Sequence, residues 1–318
     1  MKVLFISSRK AGDVGIVVKN QGESLERAGI EIDYLTIESG LSGYIKGIFK
    51  IKKTYQRGGY NLAHAHYGLS AFSSSLACVR PLVVSLMGSD VQMPGFILRI
   101  TRLLSRLKWA CTIVKTDEMK EILRLNNACV LPNGVDTKRF VPTDRKIARK
   151  HLGLEDDKNI VVHISAKNRP EKNLSLAIKA VDLLQGKAIE LIHVFDVSNS
   201  EIPFYLNAAD VLLLTSSREG SVNVIKEAMA CNCPIVSTDV GDVKWVTGPT
   251  DGCFITSTDE ESVAGYLGKA LAYGRRTDGR ERIFTLGLDS RVIAHRIIDI
   301  YNLVIEKEKR KYSGSHHN

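Results

Sequence analysis

Several things are missing from this 318-residue chain, and each absence removes a class of protein. No apolar run approaches the ~18 residues of a membrane-spanning helix, and Met1 to Ile6 is too short and too strand-like for a secretory leader. The six cysteines, at 78, 111, 129, 231, 233 and 253, form no Cys-x-x-Cys pair. Lying in apolar stretches, they read as buried thiols of a reducing compartment, with Cys231 and Cys233 as core residues, and the chain is expected to stay in the cytoplasm. No Asp-x-Asp pair occurs, and His64 and His66 alternate with apolar residues without a third ligand, so no metal site is expected. There is no low-complexity stretch and no repeat. With 44% hydrophobic and 25% charged residues, what is left is a globular protein large enough for two domains.

The charge that is present is unevenly placed. Residues 1–150 hold 24 Lys and Arg against 12 Asp and Glu, whereas residues 151–318 hold 20 against 23. A basic first half suits an anionic surface, whether lipid, charged glycan or nucleic acid. Two of its segments are basic and amphipathic. In 44–57, Tyr44, Ile48, Ile51 and Tyr55 share one helical face, with Lys46, Lys50, Lys53 and Arg57 opposite; in 96–107, Arg99, Arg102 and Arg106 run along one face. Such helices either lie in a membrane interface, cations toward the headgroups, or pack as ordinary surface helices. With no base-reading motif, nucleic acid is not an expected partner.

Apolar strands alternate with helical stretches along the chain, the pattern of parallel α/β sheets. A first sheet is expected from Lys2–Ser8, Ile30–Ile37, Leu62–His66, Leu82–Met87, Cys111–Lys115 and Ala128–Leu131. Gly12 and Gly15 follow the first strand, either as a phosphate-binding turn or simply as a tight turn. His66 and Asp90 follow strand ends, where open α/β sheets bind ligands, and are candidates for an acceptor pocket. Residues 141–158 are polar and punctuated and read as a hinge or linker. A second sheet follows in Ile160–Ser165, Ala188–Phe195, Val211–Leu214 and Pro234–Ser237, and 259–308 reads as mostly helical with a frayed tail. Lys167, Arg169 and Lys172 crowd the turn after Ser165, beside a helix N-terminus, and would clamp a diphosphate if they converge.

The most informative stretch runs from Ser216 to Val240. After the buried-strand run Val211–Leu214, Glu219-Gly220-Ser221 makes a turn and Val222–Cys231 a helix. At 100° per residue, Val222, Ile225 and Met229 share one face, while Asn223 and Glu227 share the other with Gly220. A strand, a glycine turn and a helix N-terminus together make an anion site, because unpaired N–H groups and the helix dipole point at whatever binds there. The carboxylates Glu219 and Glu227 beside it are acceptor-only groups, suited to the hydroxyls of a sugar and a ribose.

In order and spacing, L-P-N-G-V-D-T-K-R-F-V-P, S-A-K-N-R-P-E-K-N and the block from Ala208 to Val243 closely resemble the retaining family-4 glycosyltransferases, or glycosyl transferases group 1, of the GT-B fold. The resemblance covers nearly the whole chain, with the last block the most specific. It implies an α/β protein of two Rossmann-like domains with parallel sheets facing a central cleft: 1–145 for the acceptor, 146–289 for the nucleotide sugar, and 290–318 as a helix crossing back toward the first domain plus a frayed tail. It implies that Glu227 holds the ribose, that Glu219 holds the donor sugar, and that the backbone of Gly220, Ser221, Val222 and Asn223 approaches sugar and phosphate. Lys172, with Lys167 or Arg169, would support the leaving diphosphate. The implied activity is metal-independent transfer, without a cofactor, from a UDP- or GDP-type sugar to a glycan or lipid-linked acceptor. The site of action would be the cytoplasmic membrane face, with segments 44–57 and 96–107 touching anionic lipid. Met87 replaces a common histidine, Val222 replaces a common proline, and the second domain is short between Phe195 and Ile202. That shortening motivates a non-catalytic, nucleotide-sugar-binding subunit as an alternative; a GT-B epimerase or phosphorylase is another.

Overall fold

Strands covered on both faces need continuous apolar sequence, and both sheets of this protein are built from it. The computed structural model describes residues 1–9, 14–184 and 188–314. They divide into two units, Met1–Asn133 together with the segment from Ser290, and Gly134–Asp289.

In the first unit, β1 (Lys2–Arg9), β2 (Glu31–Glu38), β3 (Leu62–His66), β4 (Leu82–Ser85), β5 (Cys111–Val114) and β6 (Cys129–Val130) form a parallel sheet in the order β2-β1-β3-β4-β5-β6. Every residue of β3 and β4 is buried. Around the sheet lie α1 (Ile16–Glu26), α2 (Leu41–Arg57), α3 (Gly68–Leu76), α4 (Gly95–Leu107) and α5 (Asp117–Leu123). The C-terminal helix, Ser290–Gly314, belongs to this unit, and its fully buried Tyr301 places its phenol 2.5 Å from His64 Nδ1.

The two basic helices pack differently from a helix laid flat on lipid. Ile51 is 0% exposed, and Tyr44, Ile48 and Tyr55 pack beside it on the core. The apolar face that the sequence offers to a membrane is therefore the face that docks α2, with burial of Ile51 alone contributing roughly 2–3 kcal/mol. A different set, Leu41, Ile45 and Phe49, is exposed at four-residue spacing. On α4, Leu98 and Leu104 pack inward, while Phe96, Ile100, Leu103 and Leu107 form an exposed apolar stripe. Arg102 is not a free cation there: its guanidinium donates to the carbonyls of Leu123 at 2.8 Å and Ile122 at 3.2 Å, closing the end of α5. Among the described residues, no helix is long and apolar enough to cross a membrane.

In the second unit, β7 (Asn159–Ile164), β8 (Ile189–Val194), β9 (Val211–Leu214), β10 (Ile235–Thr238) and β11 (Cys253–Thr256) form a parallel sheet in the order β11-β10-β9-β7-β8. The helices are α6 (Arg145–Leu152), α7 (Leu174–Asp182), α8 (Ile202–Ala208), α9 (Asn223–Ala230), α10 (Val243–Thr247), α11 (Glu260–Tyr273) and α12 (Gly279–Thr285). Strand β11 lies in a stretch that the sequence pattern leaves unassigned; its only signal is C-F-I-T after a Thr-Asp-Gly turn.

The expected linker is a correction. Residues 141–158 contain α6, capped by Asp144 on the N–H groups of Lys146 and Ile147 and closed by left-handed Gly153. Arg149 on this helix is 1% exposed, with its guanidinium donating to the carbonyls of Ala208, Glu155, Asp156 and Lys158 and pairing with Asp210 at 2.8 Å. Val135 also bridges to Asp289, and the Thr143 N–H donates to Asn207 Oδ1 at 2.9 Å. The polar segment is thus held inside the second unit, and the division falls after Asn133 rather than after residue 145.

The cysteines need correcting too. Cys231 and Cys233 are buried, but Cys78 and Cys129 are exposed and Cys111 and Cys253 partly so, because Cys129 lies on a two-residue edge strand and Cys78 in the turn after α3.

Removing Arg149 leaves the Asp210 carboxylate and four carbonyls short of this donor. Arg149→Met is expected to lower stability by about 3 kcal/mol or more in urea denaturation; a loss under about 0.5 kcal/mol would show that the buried guanidinium is dispensable.

Candidate functional site

In a parallel sheet all strand C-termini lie on one edge, so the loops after β7, β9 and β10 lie on the same side of the second unit. Two of them meet directly. After β7, the chain reaches a short 3₁₀ turn, Pro170–Lys172, and after β9 it reaches Glu219. The Lys172 ammonium pairs with Glu219 Oε1, which also accepts the Ser216 hydroxyl at 2.9 Å. Both charged side chains are mostly buried, and the loops are also joined by the Ser217 N–H donating to the Glu171 carbonyl at 2.8 Å.

The other two cations near this turn have partners of their own. Arg169 pairs with Glu171, and Lys167 lies over the Phe195 ring at 4.1 Å. The three cations stand on one loop, but only Lys172 contacts the Glu219 turn directly. Beneath them, Ser165 hydrogen-bonds to His193 Nε2 at 3.0 Å, while the carbonyl of Lys172 accepts the Thr215 hydroxyl at 3.1 Å. Burial pushes the His163 imidazole down to about 4, so it is neutral at pH 7.

The turn from Gly220 to Asn223 is fixed by two residues that the sequence reading did not select. Asp242 accepts the Val222 N–H at 2.8 Å and the Ser221 hydroxyl at 2.8 Å, and Lys226 pairs with the same carboxylate at 2.7 Å. Both are almost wholly buried. Gly241 stands with φ +55° so close to the turn that a Cβ would lie 2.0 Å from the Gly220 carbonyl oxygen. The available signal was a lysine on a helix whose other packed positions are apolar, followed at a distance by D-V-G-D-V; neither residue alone announces its partner. Helix α9 then begins with Val222 in an extended N-cap conformation. Only Asn223 and Glu227 on α9 are not fully covered, as the opposite-face reading requires, although Val224, Lys226 and Ala230 are buried as well.

Glu227 accepts no hydrogen bond among the described residues. Desolvation raises its carboxyl to about 7, against the pull of Arg139, Lys226 and Lys172. A carboxyl with unused acceptor capacity can take hydroxyl donors.

The remaining candidates stand elsewhere. Gly12 lies outside the described residues; Gly15 is the extended residue before α1, with open space on its Cβ side. His66 is fully buried in the first unit, stacked on His64 at 4.4 Å and near Phe5 at 4.6 Å, with neither ring nitrogen hydrogen-bonded. Burial, and then the Lys115 charge, lowers it to about 3. Asp90 is also buried and accepts the N–H groups of Gly68 at 2.9 Å and Met87 at 2.5 Å, so its carboxyl is engaged by backbone. No group of three or more His, Cys, Asp and Glu side chains that could hold a metal lies together among the described residues.

Two units, each a parallel sheet wrapped by helices, give the chain the GT-B fold, which the solved structures below share. The family model described as glycosyl transferases group 1 matches residues 188–272, which include β9, the Glu219 turn and α9. The putative teichuronic acid biosynthesis glycosyltransferase TuaC of Bacillus subtilis is 29% identical over 244 residues, covering 67% of this chain, which spans 62% of TuaC. D-inositol 3-phosphate glycosyltransferase of Mycolicibacterium gilvum is 26% identical over 305 residues, covering 79% of this chain and 68% of its own length. Among solved structures, sucrose-phosphate synthase from Thermosynechococcus elongatus has a TM-score of 0.82 at 19% identity, covering 96% of this chain and 99% of that one. HepE of Anabaena in complex with UDP has a TM-score of 0.75 at 18% identity, covering 94% and 99%.

The raised Glu227 carboxyl has a consequence for stability. Between about 4.5, its ordinary value, and about 7, the folded state holds a proton that the unfolded chain has lost. Stability contributed by that proton is present below the lower value and is lost as pH rises through the upper one. Glu227→Gln is therefore expected to flatten the fall in melting temperature over this window; an unchanged slope would place the carboxyl in solvent.

Proposed function

We propose that this chain is a retaining, metal-independent glycosyltransferase that moves a sugar from a nucleoside-diphosphate sugar of UDP or GDP type to a glycan or glycolipid acceptor in cell-surface polysaccharide synthesis. The observation that carries this reading is the pairing of Lys172 with Glu219 beside the N-terminal turn of α9, with the Glu227 carboxyl open further along the same helix. In the proposed complex Glu227 accepts ribose hydroxyls, Glu219 accepts hydroxyls of the donor sugar, and the backbone of Gly220 to Asn223 lies against sugar and phosphate. Lys172 exchanges part of its contact with Glu219 for the diphosphate, and Arg169 or Lys167 adds a second cation. As the anomeric C–O bond breaks, its electron pair goes to the diphosphate oxygen, where fixed cations and helix N–H groups stabilise it. The acceptor hydroxyl adds on the face that the phosphate leaves, and its proton passes to the departing phosphate. HepE, solved with UDP and with UDP-glucose, supports a uridine nucleotide, and the name of TuaC supports a polymeric acceptor. His66 and Asp90 would shape the acceptor side from beneath its surface.

The enzyme works in this reading at the cytoplasmic membrane face. The surface that supports it is the exposed stripe Phe96, Ile100, Leu103 and Leu107 on α4, with Leu41, Ile45 and Phe49 on α2, flanked by Arg99, Lys108 and Lys46.

Two measurements test the proposal. Transfer from UDP- and GDP-sugars should persist in chelator and give product with the donor's anomeric configuration, and Lys172→Ala should lower kcat by roughly 10²-fold; absence of turnover with every nucleotide sugar and acceptor tried would contradict catalysis. Flotation with anionic vesicles should be salt-sensitive and lost in Phe96→Glu/Leu103→Glu; equal flotation of that variant would remove α4 from the membrane contact.

A further inference from the structure

At the edge of the first sheet opposite to His66, where β5 and β6 begin, a cleft of about 700 Å³ opens beside the ends of α4 and the C-terminal helix. Its walls include Trp109, Leu303 and Val304, its cations are Arg106, Arg124 and Lys307, and among the described residues no carboxylate lines it. Two thiols lie in it side by side: Cys111 Sγ and Cys129 Sγ are 3.7 Å apart, Cys129 exposed and Cys111 partly covered. The Cys129 thiol is lowered to about 6, first by the hydrogen bond from Cys111 and then, against desolvation, by Lys120 and Lys307. Cys111 is pushed upward, first by its hydrogen bond with Cys129 and then by desolvation. An exposed thiolate with a protonated thiol within reach, set among cations, is arranged to attack and then to resolve.

We propose that Cys129 and Cys111 form a thiol–disulfide exchange site for small anionic disulfides, with Cys129 attacking and Cys111 resolving. The Cys129 thiolate displaces one thiolate from the small disulfide, which takes up a proton, and a mixed disulfide forms at Cys129. Cys111, giving up its proton, then attacks Cys129 Sγ and expels the second small thiol, leaving an intrachain disulfide and two reduced small thiols. Closure requires the sulfurs to approach from 3.7 Å, which β6, an edge strand of two residues, can permit. The product ties β5 to the strand from which the chain leaves the first unit at Asn133. This site lies outside the nucleotide-sugar reading and does not depend on it.

The test is the reaction of the reduced full chain with oxidised glutathione, which is anionic, and with cystamine, which is cationic, followed by peptide mass spectrometry. Cys78 is also exposed, with its thiol donating to the Leu76 carbonyl, and serves as the internal reference. Expected are modification of Cys129 by oxidised glutathione about tenfold or more faster than that of Cys78, a slower rate in Lys307→Glu, and a wild-type product two hydrogens lighter with Cys111 linked to Cys129. Cys111→Ser should stop at the mixed disulfide. Cys129 reacting at the rate of Cys78, or faster with cystamine, would overturn the anionic site, and a mixed disulfide that persists in the wild type would overturn the resolving role.

Discussion

The ion pair between Lys226 and Asp242, shut inside the second unit, is the constraint on which the turn before α9 depends. A buried pair of this kind is weak evidence of stability, because desolvation offsets most of the attraction. Its geometry does a different job. One Asp242 oxygen takes the Val222 N–H and the other takes the Ser221 hydroxyl and the Lys226 ammonium. The turn preceding α9 is therefore held by side chains behind it, and Gly241 lets the supporting loop come close enough to do so. Position 222 is valine, and the clamp supplies a restraint on this turn that a proline there would have supplied through φ.

With the turn fixed, the electrostatics of the loops in front of it follow. Each of the three cations after β7 has a partner: Lys172 has Glu219, Arg169 has Glu171, and Lys167 has the Phe195 ring. A diphosphate entering such a site competes with existing partners instead of meeting bare charges, which limits the desolvation cost of the empty state. Glu227 is the exception, a carboxyl held partly desolvated and without a hydrogen bond among the described residues, and this makes it the group with most to gain from hydroxyl donors.

The sequence made the βα alternation, both parallel sheets and the Glu219–Glu227 helix readable because local periodicity decides them. What it hid depends on contacts distant in the chain. Helical spacing on α2 correctly grouped Tyr44, Ile48, Ile51 and Tyr55, but periodicity cannot say whether such a face meets lipid or the protein's own sheet, and it meets the sheet. Polar 141–158 looked like a linker because its organiser, Arg149, finds its carboxylate at Asp210. Lys226 and Asp242 were invisible as a pair for the same reason, and Arg102 passes for a surface cation until the carbonyls at the end of α5 are seen to take it up. In the candidate site, Lys172 meets Glu219 while Arg169 and Lys167 turn to Glu171 and the Phe195 ring, and Asp90 is engaged by the backbone of Gly68 and Met87.

The central claim is that the second unit is a working donor site with Glu227 reading the nucleotide. Calorimetric titration of UDP, GDP and ADP into the wild-type chain and Glu227→Ala, without added metal, tests it most directly. The account predicts clear preference for one nucleotide and loss of that binding in the variant; equal binding by the two proteins, or no binding of any of the three, would contradict it.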